Sequence, residues 1–243
     1  DGLTFVVTPM SMLGIYPHTY KKLPYDPVAD FLPVSQVARV DFGLAVGSAV
    51  PASVRNLNDF VAWCKANPKE ASFGSPAPGS VPHFVGELFG RAAHLAEFKH
   101  VPYRGTQPAI IDLIGGQLAS VSGPLGEFLP HLSTGKVRLI ATSGAARSKF
   151  APDVPTYAEQ GFKEIVHEEW FGAFLPAKTS PEVVKRLADA LRKALAAPDA
   201  VEGLGKMGLE AKASTPAELA AMLKRDSERW APLIKTIGFT ADS

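Results

Sequence analysis

The sequence predicts an α/β protein of two lobes, and three observations carry that prediction. Residues 72–143 alternate short β-type runs with helical patterns, long amphipathic helices fill the chain after residue 180, and two extended stretches bracket the alternating region. In chain order, residues 3–7 have the composition of a short buried strand, and residues 33–46 form the first long extended stretch. Leu57, Phe60, Val61 and Cys64 then fall at i, i+3, i+4 and i+7, one face of a helix. Strands follow at 71–74, 98–102, 118–122 and 138–142, with helices between them at 82–93, 107–115 and 124–134. Helices that return each strand to the same side predict a parallel sheet.

Residues 165–175 form the second extended stretch, after which Ser180-Pro181 opens a helix running to residue 196. Pro181 suits the first helical position, where the missing N–H costs nothing. Val183, Val184, Leu187, Leu191 and Leu195 share one face of it. Thr215-Pro216-Ala217-Glu218 reads as a capping box. Its helix carries Leu219, Met222, Leu223 and Trp230, bends at Pro232 and ends by Gly238. These helices need a sheet to cover, yet nothing after residue 176 has a strand pattern. The economical arrangement joins residues 1–40 and 172–243 into a discontinuous lobe I, with residues 41–171 as lobe II. The two extended stretches then cross between lobes as a hinge, with a ligand cleft between them.

Composition removes several function classes. The 243 residues are 46% hydrophobic and 20% charged, with net charge +1, so neither a nucleic-acid field nor an acidic tail exists. No apolar run approaches a membrane-spanning length, which argues against membrane insertion. Cys64 stands alone, which excludes an intrachain disulfide and a thiolate-rich metal site, and its helical register makes it a core residue. The histidines lack ligand spacing, so neither metal nor cofactor is expected. The chain opens at Asp1-Gly2 without a signal peptide, which is expected to have been removed or to lie outside this sequence.

The chemistry concentrates in two strand-to-helix turns. The first runs from Gly74, Ser75 and Pro76 to Gly79, Ser80, Val81, Pro82 and His83. N–H groups near Ser80 and Val81 at a helix N-terminus attract an anion. The second is Pro102-Tyr103-Arg104-Gly105-Thr106. In parallel sheets such turns gather at the carboxyl ends of the strands, where ligands bind. The same residues also suit ordinary loops, because Gly and Pro favour turns everywhere. Arg104 can fork onto a carboxylate or remain a solvated charge, and His83 can donate to a ligand or cap its turn. Gly203-Leu204-Gly205-Lys206-Met207-Gly208 spells G-x-G-x-x-G but follows a helix, so it is no dinucleotide fingerprint. Glu168 and Glu169 have no second acidic pair to work with, and no catalytic constellation exists, so an enzyme is not expected.

These turns also carry a family resemblance. Asp1-Gly2-Leu3-Thr4, Tyr20 to Pro27, Asp30 to Val34, Gly74-Ser75-Pro76 with Gly79 and His83, Val101 to Gly105, Asp112 to Gln117, Pro155 to Gly161 and Trp170-Phe171-Gly172 resemble the Bug/TctC family. Its members are the extracytoplasmic binding components of tripartite tricarboxylate transporters. The resemblance implies a type II periplasmic-binding-protein fold, a periplasmic location, a monomer, a small carboxylate ligand and membrane transporter subunits as partners. It implies ligand contacts from Ser75, Gly79, Ser80 and Val81, with the Tyr103, Arg104, Gly105 and Thr106 turn opposite and His83 nearby. Family members begin several tens of residues earlier, so the usual N-terminal part of lobe I is expected to be lacking. Thr8-Pro9-Met10-Ser11-Met12 replaces the usual small and hydroxyl residues, which with Trp170 implies a more apolar wall. Gly123-Pro124 stands where members that take amino acids can carry an Asp, so amino-acid ligands are not expected. The alternative is an effector-sensing domain of a regulator or signalling receptor with the same fold, although no basic recognition helix is present.

Overall fold

A computed structural model describes residues 4–241. Leu3, where the first predicted strand starts, lies outside the described residues, as do Asp1 and Gly2 of the opening motif. The chain divides into two compact units, Asp1–Val40 with Glu169–Ser243 and Asp41–Glu168.

The first unit opens with β1 (Val6–Pro9), α1 (Met10–Gly14), α2 (Tyr16–Thr19) and the start of β2 (Phe31–Val46). The opening strand is displaced from its predicted span and is not buried: Val6 is 39% and Val7 45% exposed, while Thr8 turns inward. The stretch after it forms α1 and α2, with Pro9 extended at the N-cap of α1. Pieces this short show no helical periodicity, because one turn cannot repeat a pattern.

The second unit continues with the end of β2, then α3 (Leu57–Ala66), β3 (Ser72–Ser75), α4 (Val81–Ala92) and β4 (Lys99–Pro102). After these come α5 (Thr106–Ile114), β5 (Ser120–Pro124), α6 (Leu125–Leu132) and β6 (Arg138–Thr142). Asn56 caps α3 by accepting the Asp59 N–H at 2.9 Å, and the predicted face buries Leu57, Phe60 and Cys64. Strand β3 pairs in parallel with β4 and β5, so α4 and α5 are crossover helices as predicted. The sheet is nevertheless mixed. Strand β2 enters in the opposite sense and pairs antiparallel with β5, from Phe42 against Pro124 to Val46 against Ser120, and with β6. A strand's direction relative to a distant partner is not written in its own residues, and the parallel expectation, made for the strands after residue 70, did not extend to β2.

Ala45, Ile110, Leu113, Val121 and Phe128 form the core on the α5 and α6 face. Beneath α4, Phe60, Phe73, Phe89 and Phe98 pack ring on ring, with Phe73 and Phe98 stacked at 4.9 Å. Such rings carry large buried areas, and truncating one costs about 3–5 kcal/mol.

The chain returns to the first unit through β7 (Glu168–Pro176), α7 (Pro181–Leu195), α8 (Pro198–Lys206), β8 (Leu209–Ala211) and α9 (Pro216–Ile237). Strand β7 lies between β1 and β2, antiparallel to β1 from Val6 against Phe174 to Pro9 against Phe171. The short β8, absent from the expectation, pairs antiparallel with residues 38–40 of β2. Three residues after the left-handed Gly208 give no alternation to read. Thr215 and Glu218 form the predicted capping box, and Gly238 ends α9 in the left-handed conformation. The rejected G-x-G-x-x-G lies in α8 and the turn that follows it.

Candidate functional site

The two turns singled out by sequence lie together in the second unit, at the carboxyl ends of the parallel β3 and β4. Backbone bonds tie one to the other: the Tyr103 N–H donates to the Ser75 carbonyl at 3.0 Å, and the Gly105 N–H to the Pro76 carbonyl at 2.8 Å. Gly79 and Gly105 hold φ of 76° and 101°, a conformation a side chain would strain. Strand β5 joins them. The Ser122 hydroxyl donates to the Pro82 carbonyl at 2.7 Å, and a Cβ on Gly123 would lie 2.8 Å from the Thr106 methyl. The N-termini of α4 and α5 and the end of β5 therefore adjoin.

Within the first turn most donors are spent internally. The Ser80 N–H donates to the Ala77 carbonyl at 3.3 Å, the Ser80 hydroxyl to the same oxygen at 2.7 Å, and the Gly79 N–H to His83 Nδ1 at 3.1 Å. The expectation of an open N–H at Ser80 is thereby corrected. Val81 is buried, and its N–H has no hydrogen-bond partner among the described residues. Buried backbone donors are rarely left unpaired, so a donor kept open at a helix N-terminus suits an anionic guest. Ser75 is fully buried, with its hydroxyl 2.8 Å from His100 Nε2.

His83 is buried, with its ring stacked on His100 at 3.9 Å between centroids. Burial first, and the neighbouring His100 second, push its pKa down to about 3. Burial alone lowers His100 to about 4. Both rings are therefore neutral at physiological pH.

The second turn differs. Thr106 is buried, and its N–H and that of Gln107 have no partner among the described residues. Their side chains, however, hold an acid of the chain itself. The Thr106 hydroxyl donates to Glu127 Oε1 at 3.0 Å and the Gln107 amide to Oε2 at 3.1 Å. The Glu127 carboxylate thus sits beside the N-terminus of α5, where the helix dipole favours it. Tyr103 donates to Asp112 at 2.7 Å, and burial followed by that bond pushes its phenol up to about 12. Arg104 is exposed.

The remaining candidates belong to the first unit and are engaged there. Met10 is buried at 1% exposure, whereas Met12 is 37% exposed. The Met12 sulfur accepts the Thr8 hydroxyl at 2.9 Å. The Ser11 N–H donates to Glu169 Oε1 at 2.9 Å. Glu169 is 6% exposed, and burial raises its carboxyl to about 7, partly offset by the bonds from Ser11. Trp170 is buried and donates from Nε1 to Asp226 at 2.7 Å. Sequence reading passed over Glu127 and the structural use of His100. Each acts across 20 or more residues, on Thr106, Gln107 and Ser75, and no local spacing signals such contacts.

The α/β scaffold is of the periplasmic-binding-protein fold class, as its likeness to solved periplasmic binding proteins shows. The family model described as "Tripartite tricarboxylate transporter family receptor", TctC, matches residues 1–239, and this chain belongs to that family. Protein BugT of Bordetella pertussis is 30% identical over 98% of this chain and 72% of its own length. The structure titled R. palustris Rpa4515 with adipate superposes with a TM-score of 0.91 at 29% identity, over 100% of this chain and 80% of that one. MatC of Rhodopseudomonas palustris with bound malate gives 0.83 at 26%, over 96% and 80%. No helix among the described residues is long and apolar enough to cross a membrane.

Proposed function

We propose that this protein captures a small organic carboxylate in the periplasm and presents it to the membrane subunits of a tripartite tricarboxylate-type transporter. The observation that carries this reading is the buried N–H of Val81 at the start of α4, without a partner among the described residues, with Thr106 and Gln107 beside it on α5. Charge-assisted bonds from fixed backbone donors hold a carboxylate without a buried counter-cation. Arg104, at the exposed edge of the second turn, steers the anion through the field of its guanidinium. Adipate and malate in two structures of the same fold support a dicarboxylate as the first class to try.

A thermal-shift panel tests the reading, using short dicarboxylates including adipate and malate, citrate, aromatic monocarboxylates and acidic amino acids. Ligand at about 100 times its Kd stabilises by roughly 2.7 kcal/mol, a readily measured rise in Tm. A rise confined to carboxylates supports the reading. A folded, ligand-free protein that responds to none of them refutes it.

A further inference from the structure

The first turn is held at both ends by one pair of rings. At its start, Ser75 sits 2.8 Å from His100 Nε2. At its end, the Gly79 N–H reaches His83 Nδ1 at 3.1 Å. The rings themselves stack at 3.9 Å, and Phe73 of β3 packs against both, 6.4 Å from His83 and 4.9 Å from His100. We infer that His83 and His100 form a neutral two-ring clamp that positions residues 75–81, and that neither ring is itself a ligand contact.

The hydrogen bonds dictate the protonation state. A backbone N–H can only donate, so His83 Nδ1 must present a lone pair and the ring proton must sit on Nε2. On that side Glu87 Oε1 lies 3.8 Å from Nε2. An imidazolium at position 83 would place two donors head to head at Gly79, beside a second ring 3.9 Å away. Burial disfavours that charge, and the low pKa of each ring follows. Glu87 pulls the other way, but its own carboxyl is raised by burial and lowered by Arg91, so it offers His83 a weak counter-charge. With the clamp in place, Gly79 keeps its positive φ and the Val81 N–H keeps a fixed direction. The positioning role is thus a matter of geometry rather than of charge.

The effect on affinity rests on the carboxylate reading above, whereas the clamp itself is tested independently of it. In the unmodified protein, nitrogen-detected histidine spectra should show His83 as the Nε2–H tautomer, with Nδ1 an unprotonated acceptor, neutral to below pH 5. An Nδ1–H tautomer, or titration near 6.5, overturns the clamp whatever the protein binds. His83→Asn keeps an acceptor at the Nδ1 position, while His83→Leu removes it. For whichever carboxylate the panel identifies, His83→Leu should weaken binding by about tenfold or more and His83→Asn should restore most of that loss, as expected for one buried hydrogen bond. Equal affinities for the two variants would overturn the positioning role. If His83→Leu fails to fold, the same comparison is made between His100→Gln, which keeps a polar atom for Ser75, and His100→Met.

Discussion

The N-termini of α4 and α5 follow neighbouring parallel strands, carry similar Gly- and Pro-rich turns and each keep N–H groups without a partner among the described residues, yet they differ in the charge placed beside those groups. At α5 the chain supplies its own anion, the Glu127 carboxylate held by Thr106 and Gln107. At α4 the Ser80 and Gly79 donors are used internally while Val81 is left without a partner among the described residues. Helix α1 in the other unit goes further, with the Ser11 N–H itself bonded to Glu169. A resident carboxylate beside a helix start repels a second anion there. Its absence at α4 is why we propose that turn as the carboxylate position.

Four predictions break or sharpen this contrast. The largest concerns a filled start. Glu169 folds with its carboxyl at about 7 instead of 4.5, so the native state holds its proton more tightly than the unfolded chain. That contribution is intact below about pH 4.5 and is lost as pH rises through 7. Glu169→Gln, which still accepts from Ser11, should raise stability at pH 8 by up to about 3 kcal/mol and change little at pH 4.5. Chemical denaturation of both proteins across that range reads the difference.

Next is the open start. Val81→Pro deletes one N–H at the first helical position, where proline is tolerated. It should cost about 1.5–3 kcal/mol of carboxylate affinity by calorimetry, with Tm little changed. Glu127→Gln comes third. Removing the resident charge should tighten carboxylate binding by about 0.5–1 kcal/mol at low ionic strength, an effect that fades in salt. The smallest effect belongs to the exposed Arg104, where Arg104→Gln should slow association by a few-fold at low salt, as stopped-flow measures it.

How much of this was legible follows from the range of each interaction. The strands at 138–142 and 98–102 and the helices of the second unit came from local alternation and periodicity, and the Thr215–Glu218 box came from residues three apart. The antiparallel pairing of β2 with β5 and β6 joins segments tens of residues apart, and nothing in Phe42 to Val46 names the partner. Strand β8 and helices α1 and α2 are shorter than the patterns that would reveal them. In the site, the turns themselves were visible as Gly, Ser and Pro clusters. Which donors stay open was not, because that depends on His83 reaching back to Gly79 and on Glu127 crossing to Thr106 and Gln107. The Met10 and Trp170 side chains, read as a wall, are buried in their own unit, Met10 on α1, which packs against α9, and Trp170 bonded to Asp226.

The most direct test of the central claim is an amide-resolved NMR titration of the protein with the carboxylate that stabilises it most. The Val81 N–H should show the largest downfield proton shift, exceeding those of Thr106 and Gln107. Saturable binding that leaves the Val81 amide unmoved would contradict the assignment of the α4 N-terminus as the carboxylate position.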